Sequence, residues 1–299
     1  MTTTCTPVSG TQFSLGPTTV QCTATDSLGR TAVCSFKVTL SRETLGATRF
    51  LAFGDSVTEG QNGLAESLVA PAPQFVDDAN SYPTKLRASL QSSFPDQGIS
   101  VVNAGVGGEF VEVGLVRLRD HALPENNPDA VLLLDGYNNL LNGCPASKDS
   151  NTPTCGAAIN VVYQTLDQCV RTALAAPSVR YVFLSKLTPP GPAGGSPDRR
   201  ISPDAIDKAN GLIVSVAASE HVTLVDPFPL FVGHESQYVE VDGLHLSPAG
   251  NQVLAGAFFS SITSVIPETF VPVAAQIPGT PRGRGAWPAW FRAPSPNQR

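Results

Sequence analysis

The sequence has few charged and few aromatic residues for its length. Of its 299 residues, 15% are charged and 7% are aromatic, and 19 Lys and Arg against 25 Asp and Glu give a net charge of −6. No basic patch stands out in the part that we expect to fold. Because nucleic-acid binding needs a concentrated positive surface, we expect no nucleic-acid partner.

Long apolar runs and metal-binding patterns are missing as well. No run reaches the roughly 20 apolar residues of a membrane span, and Met1–Cys5 shows no basic region followed by an apolar one, so we expect neither a span nor a signal peptide at the start. No Cys/His spacing indicates zinc and no Asp-rich loop indicates calcium. We therefore expect no metal and no cofactor.

The amino-acid usage favours an oxidising compartment. The chain has six Cys, few Lys and abundant Thr, Ser, Ala and Pro, and 41% of it is hydrophobic, enough for a packed core. We expect a secreted, extracellular protein of bacterial origin. The alternative is a cytosolic enzyme with six buried thiols.

Three of the cysteines lie between residues 144 and 169. Cys144 and Cys155 flank a Pro-, Ser- and Thr-containing insertion, 145–154, which favours a disulfide that staples the loop over two free thiols. Cys169 lies in a helical pattern, where a buried thiol is expected.

Residues 1–41 have the pattern of a small β segment. Thr18–Thr25 and Ala32–Leu40 alternate in polarity on either side of a turn at Asp26–Gly29, which predicts a hairpin. Two or three strands are not stable alone, so the segment resembles the end of a larger β-sandwich. Its three cysteines leave two pairings open, Cys5–Cys22 and Cys22–Cys34.

From Arg49 onward the pattern is an alternation of strands and helices. Strands are predicted near 49–54, 99–103, 130–134, 180–185 and 222–226, and helices near 81–93, 111–121, 157–176, 203–219 and 247–264. Such alternation predicts a parallel sheet covered on both faces, the α/β class. We place a β module at 1–41, a linker at 42–47, the main domain at 48–266 and a disordered or loosely packed tail at 267–299.

Four polar blocks follow predicted strands. They are Gly54-Asp55-Ser56, Asn103 to Glu109, Gly136 to Asn139, and Asp242-Gly243-Leu244-His245. The carboxyl ends of parallel strands share one edge of the sheet, so the blocks should converge there. A serine at that edge becomes a nucleophile when a histidine accepts its proton and a carboxylate orients the histidine. Ser56, His245 and Asp242 are the candidates.

These blocks resemble those of the SGNH/GDSL hydrolase family over about residues 48–266. The resemblance implies a flavodoxin-like three-layer α/β/α sandwich with five parallel strands. It also implies that Ser56 is the nucleophile, His245 the base and Asp242 its orienting group. The oxyanion hole would consist of the N–H of Ser56, the N–H of Gly108 and the side-chain amide of Asn138. The chain departs from the family at Asn139, where an Asp is usual.

The N-terminal segment resembles the second half of a hyalin-repeat (HYR) module, an immunoglobulin-like extracellular module associated with adhesion. The matching residues are Cys5 to Gly10, Phe13, Leu15-Gly16, Thr18 to Val20, Cys22 to Asp26, Gly29 and Cys34 to Phe36. The resemblance implies that cell-surface or matrix carbohydrate is a possible partner of this segment.

The leading hypothesis is a serine esterase or lipase. Its substrate would be a small-molecule or polysaccharide-linked ester, with a short acyl chain or a carbohydrate acetyl group. The loops 61–80, 137–156 and 188–200 are expected to line the pocket. The alternative is a non-catalytic extracellular protein for adhesion or carbohydrate binding. Turnover of p-nitrophenyl acetate, blocked by a serine-reactive phosphonate, would separate the two.

Overall fold

The computed structural model describes residues 1–63, 76–192 and 200–272. The strands are β1 Thr2–Thr6, β2 Gly16–Thr25, β3 Thr31–Leu45, β4 Arg49–Gly54, β5 Ser100–Gly105, β6 Ala130–Leu134, β7 Tyr181–Ser185, β8 Thr223–Val225 and β9 Glu268–Pro272. The helices are α1 Ser56–Glu59, α2 Tyr82–Ser93, α3 Val111–Arg117, α4 Leu123–Asn126, α5 Tyr137–Gly143, α6 Pro153–Ala175, α7 Pro203–Ser219, α8 Phe228–Phe231, α9 Glu235–Tyr238 and α10 Pro248–Val265.

The described chain divides into two compact units. Glu43–Thr269 forms the larger one, and Met1–Arg42 with the residues from Phe270 forms the smaller one. Two predicted boundaries look different in the structure. Strand β3 runs to Leu45, through part of the predicted linker, and Glu268–Pro272 at the start of the predicted tail is a strand. The rest of that tail, 273–299, lies outside the described residues.

The small unit contains the predicted hairpin. Its sheet has the order β1-β2-β3-β9, in which β1 and β3 both pair antiparallel with β2. Cys5, Cys22 and Cys34 lie opposite one another on the three strands, and the disulfide joins Cys5 to Cys22. Cys34 is an exposed free thiol. The structure thus selects one of the two pairings that the sequence left open.

The larger unit has the predicted α/β architecture. Its five parallel strands have the order β5-β4-β6-β7-β8. The helices pack in two groups, α2 against α10, and α6 against α3, α5 and α7. Every residue of β6 is buried, as are Phe50–Gly54 of β4, because parallel strands covered on both faces have no polar side. The predicted three-layer fold is confirmed.

The region after α3 differs from its prediction. The sequence predicts one helix near 111–121, but the α-helix ends at Arg117 and a π-helical turn, Leu118–Ala122, follows. The wider turn brings Leu118, Ala122 and Leu123 all into the core. A π-helical turn contains one residue more than an α-helical turn, and the periodicity of a regular helix could not predict that insertion.

Both remaining cysteine predictions are confirmed. Cys144 and Cys155 form a disulfide, and Cys169 is a buried free thiol. Among the described residues, no helix is both long enough and apolar enough to cross a membrane.

Asp129, just before β6, holds the start of β4. Its carboxylate accepts the backbone N–H groups of Thr48 and Arg49 and the Arg49 guanidinium, each at 3.0 Å. Burial opposes the charged form, but the hydrogen bonds from Arg49 and from these backbone groups outweigh it and lower the pKa of Asp129 to about 2.

We expect Asp129→Asn to lower the free energy of unfolding at neutral pH by about 2 kcal/mol or more. A carboxyl group with a depressed pKa stabilises the folded state above its unfolded value of 3.8, and this contribution is lost as the pH falls toward 2. Chemical denaturation from about pH 7 down to about pH 2 should therefore show the wild type and the variant converging in acid. Asp120→Asn, at an exposed ion pair with Arg119, is the control. A gap between wild type and Asp129→Asn that is constant with pH would contradict the assignment.

Candidate active site

The nucleophile candidate lies at the carboxyl end of β4, one of the inner strands of the parallel sheet. Ser56 is the first residue of α1, separated from β4 by Asp55 alone, and only 3% of it is exposed. Asp55 holds this turn in place, since its carboxylate accepts the N–H of Val57 at 3.1 Å and that of Tyr137 at 3.1 Å. Asp55 therefore joins the first block to the third.

The structure brings Ser56, His245 and Asp242 together across 189 residues of sequence. His245 Nε2 lies 2.8 Å from Ser56 Oγ, and His245 Nδ1 lies 2.5 Å from Asp242 Oδ2. The other carboxylate oxygen of Asp242 accepts the backbone N–H groups of Leu244 at 2.9 Å and of His245 at 3.0 Å. The loop thus fixes both its own carboxylate and its own imidazole.

The charge on Asp242 determines which ring nitrogen carries the proton. Burial opposes ionisation, but the hydrogen bond from the His245 ring and the two backbone donors outweigh it and lower the pKa of Asp242. An ionised carboxylate can only accept, so Nδ1 of His245 carries the proton. Nε2 is then free to accept the hydroxyl proton of Ser56, which is what an activated serine requires.

The second and third blocks meet at Glu109. The side-chain amide of Asn138 donates to the carbonyl oxygen of Glu109 at 3.0 Å, and Glu109 directly follows Gly108. Gly108 has φ +75°, a conformation that favours glycine, and its Cα faces open space. In the described part of the chain, neither the N–H of Ser56 nor that of Gly108 donates a hydrogen bond. Two such donors can serve a substrate oxygen.

Asn139, the departure from the family pattern, has a clear structural role. Its Oδ1 accepts the N–H of Val111 at 3.0 Å, and its Nδ2 donates to the carboxylate of Glu112 at 2.7 Å. An aspartate here would accept the first bond but would face Glu112 with a second negative charge. The amide therefore fits the start of α3 in this chain.

Two buried carboxyl groups lie beneath the site. Burial raises the pKa of Asp55 to about 6, against the hydrogen bonds from Val57 and Tyr137. Burial, with the charges of Asp55 and Glu109 adding to it, raises the pKa of Asp135 well above its usual range. Asp135 follows the all-apolar β6, and sequence reasoning missed it because an Asp before a glycine reads as an ordinary turn.

Other polar groups do not add to this centre. His234 stacks on Tyr238 with ring centroids 5.3 Å apart. Among the described residues, no group of three or more His, Cys, Asp or Glu could hold a metal ion. Of the loops expected to line a pocket, 64–75 and 193–199 lie outside the described residues.

A known protein family shares the part of the chain that contains these residues. The sequence model of the GDSL-like Lipase/Acylhydrolase family matches residues 52–253, more than half of the chain, and includes all four blocks. No curated protein matches the chain.

Solved structures share the fold. LAE5, an alpha/beta hydrolase enzyme from the metagenome of Lake Arreo, is 24% identical with a TM-score of 0.55, over 73% of this chain and 96% of its own. Axe2, an acetylxylan esterase from Geobacillus stearothermophilus, is 22% identical with a TM-score of 0.54 over the same shares. The lipase/acylhydrolase from Enterococcus faecalis is 19% identical with a TM-score of 0.52, over 76% of this chain and 100% of its own.

Proposed function

Since the chain belongs to the GDSL-like lipase/acylhydrolase family and is a carboxylic ester hydrolase, we propose that it cleaves its substrate through an acyl-enzyme on Ser56. His245 is the general base and Asp242 its orienting group. The observation that carries this proposal is the continuous chain of hydrogen bonds from Ser56 Oγ through both ring nitrogens of His245 to Asp242.

The positions of these atoms suit both acylation of Ser56 and hydrolysis of the acyl-enzyme. Ser56 Oγ attacks the acyl carbon while its proton moves to His245 Nε2, and the carbonyl oxygen becomes an oxyanion. When the tetrahedral intermediate collapses, the alcohol leaves with the proton from Nε2 and the acyl group stays on Ser56. A water molecule then attacks the acyl carbon as His245 accepts its proton, and the second collapse returns that proton to Ser56 and releases the carboxylic acid.

The developing oxyanion is stabilised by three donors: the N–H of Ser56, the N–H of Gly108 and the amide of Asn138. Neutral donors fixed in advance stabilise the transition state more than the ground-state carbonyl. The bond from Asn138 to Glu109 occupies one of its two N–H groups and leaves the second for the substrate.

We expect Asn138→Ala to lower kcat by about 10²–10³-fold with a smaller change in KM, because the amide contacts the charge that develops in the transition state. Steady-state kinetics on p-nitrophenyl acetate measures both constants. Asn126→Ala is a matched control, since Asn126 also donates to a backbone carbonyl, that of Ala122, at 2.8 Å. If Asn138→Ala changed only KM, the amide would bind the substrate equally well in the ground state and in the transition state.

The proposed substrates are short-chain acyl esters or acetyl groups on carbohydrate. Axe2 is described as an acetyl-xylooligosaccharide esterase and the Enterococcus faecalis protein as a lipase/acylhydrolase, and both share the fold. The two disulfides support secretion into an oxidising compartment. The hyalin-repeat resemblance of residues 1–41, and its carbohydrate partner, stay predictions.

A panel of p-nitrophenyl esters of increasing acyl length, run beside acetylated xylan and acetylated pectin, tests the substrate class. Fastest turnover of the acetate ester together with acetate release from a polysaccharide would support carbohydrate deacetylation. A maximum at long acyl chains would support a lipase. If the folded protein hydrolyses none of these esters but binds the polysaccharides, the non-catalytic alternative would replace the proposal.

A further inference from the structure

The guanidinium of Arg117 lies beneath the proposed catalytic centre and touches the ends of two strands. Its Nη1 donates to the carbonyl oxygen of Ala104 on β5 at 2.9 Å, and its Nη2 donates to that of Gly54 on β4 at 3.3 Å. Its central carbon lies over the Phe53 ring, 4.2 Å from the ring centroid. Gly54 is two residues before Ser56, so these contacts hold the strand that presents the nucleophile.

The same guanidinium grips Glu109 through both carboxylate oxygens. Nε of Arg117 lies 3.1 and 3.0 Å from the two oxygens, and Nη2 lies 2.6 Å from one of them. Glu109 follows Gly108 in sequence, and its carbonyl oxygen accepts the Asn138 amide. The side chain of Glu109 is only 6% exposed. One residue therefore connects two of the three proposed oxyanion donors, and Arg117 fixes that residue.

From these contacts we propose that Arg117 is the positioning residue of the oxyanion hole, acting through Glu109. The inference rests on the proposed function. A guanidinium presents its donors in one rigid plane, so it sets the distance between the β4 end, the β5 end and the Glu109 backbone together. The Ser56 N–H, the Gly108 N–H and the Asn138 amide thereby share one frame. Arg117 itself does not touch the substrate.

The charges around Glu109 make the positions of the three oxyanion donors depend on Arg117. Asp135 Oδ2 is buried and has no hydrogen-bond partner among the described residues, and a Cβ added to Gly114 would lie 3.0 Å from it and 3.2 Å from Glu109 Oε1. Two buried carboxyl groups thus approach the same point of α3. A buried carboxylate that loses its cation is strongly destabilised. Without Arg117, Glu109 is expected to turn its carboxylate away, and its backbone carbonyl moves with it.

The test compares Arg117→Met, Arg117→Lys and Glu109→Gln with the wild type on p-nitrophenyl acetate and with trifluoroacetone as the inhibitor. Ser56 adds to this ketone and gives a tetrahedral oxyanion, so its inhibition constant includes the stabilisation of that oxyanion by the hole. We expect Arg117→Met to lower kcat/KM by about 100-fold, mainly in kcat, and to weaken the inhibitor by a similar factor. Arg117→Lys, which keeps the charge but not the planar fork, should fall between Arg117→Met and the wild type.

Arg49→Met is the matched control, because Arg49 pairs with Asp129 at the opposite end of the same strand. It should lower the melting temperature and leave kcat and the inhibition constant unchanged. A smaller fraction of folded enzyme would lower the apparent kcat without changing the inhibition constant. Active-site titration measures that fraction and so separates this effect from a distorted oxyanion hole. Folded Arg117 variants with wild-type kcat and inhibitor affinity would overturn the inference. If neither Arg117 variant folds, Glu109→Gln decides it, since wild-type values there would also overturn it. In each case the wild-type turnover tests the proposed function separately.

Discussion

Replacing Ser56 by alanine should abolish ester hydrolysis, with a loss in kcat of about 10⁴-fold or more while the fold stays intact. In the proposed mechanism the hydroxyl oxygen of Ser56 forms the acyl-enzyme, and His245 Nε2 lies 2.8 Å from it. Alanine removes only one buried oxygen from a turn that Asp55 holds through Val57 and Tyr137. Turnover of p-nitrophenyl acetate by purified protein, with circular dichroism for the fold, measures the effect.

Ser185 offers a matched control for this experiment. It is a buried serine at the carboxyl end of β7, on the same edge of the same sheet, and its hydroxyl donates to the Lys186 carbonyl at 2.8 Å. Ser185→Ala should keep the wild-type kcat. A fluorophosphonate probe should label the Ser185→Ala protein as well as the wild type but should fail to label Ser56→Ala. A folded Ser56→Ala protein with near-wild-type turnover would remove Ser56 from the mechanism.

The fold of the larger unit could be predicted from the sequence because its strands are buried on both faces. A strand such as Ala130–Leu134 then appears as an unbroken apolar run, and its bounds match the prediction. Helices α7 and α10 could be located from Ser202-Pro203 and Ser247-Pro248, a pairing typical of helix starts. The side chain of Ser247 does cap its helix, whereas that of Ser202 makes no capping bond.

Prediction failed where neighbouring elements rather than local pattern set the structure. The π-helical turn at Leu118–Ala122 packs residues into the core that a regular helix would not place there. Strand β9 lies in a segment with no periodicity of its own. The pairing of Cys22 with Cys5 rather than Cys34 is a choice between two neighbours that both lie opposite it in register. No spacing in the sequence distinguishes them.

The candidate site divides in the same way. Ser56, Asp242 and His245 could be named because each lies in a short block whose chemistry is visible in the sequence. Arg117 could not, because two of its three hydrogen-bonded partners are the backbone carbonyls of Gly54 and Ala104, which carry no sequence signal. In the sequence, Arg117 is only a polar residue in a helical pattern.

Asp242→Asn should lower kcat by about 10⁴-fold, and the structure supplies the reason. The two backbone donors, Leu244 N–H and His245 N–H, both reach the same oxygen of residue 242 and require an acceptor there. They hold the amide of the variant with its oxygen toward the backbone and its NH₂ group toward His245 Nδ1. An NH₂ group only donates, so Nδ1 must accept, and the ring proton moves to Nε2. Nε2 can then no longer accept the proton of Ser56.

The tautomer can be observed directly as well as through kinetics. The chain has four histidines, so ¹⁵N NMR of the imidazoles can resolve His245, with His245→Ala used for assignment. We expect a protonated Nδ1 in the wild type and a protonated Nε2 in Asp242→Asn. Asp226→Asn is the charge-matched control, because Asp226 also accepts a backbone N–H, that of Phe228 at 3.2 Å, on the same side of the sheet. It should retain wild-type kcat. An Asp242→Asn enzyme that kept the wild-type tautomer and still lost activity would show that Asp242 acts through its charge rather than by orienting the ring, and one that kept its kcat would exclude Asp242 from the triad.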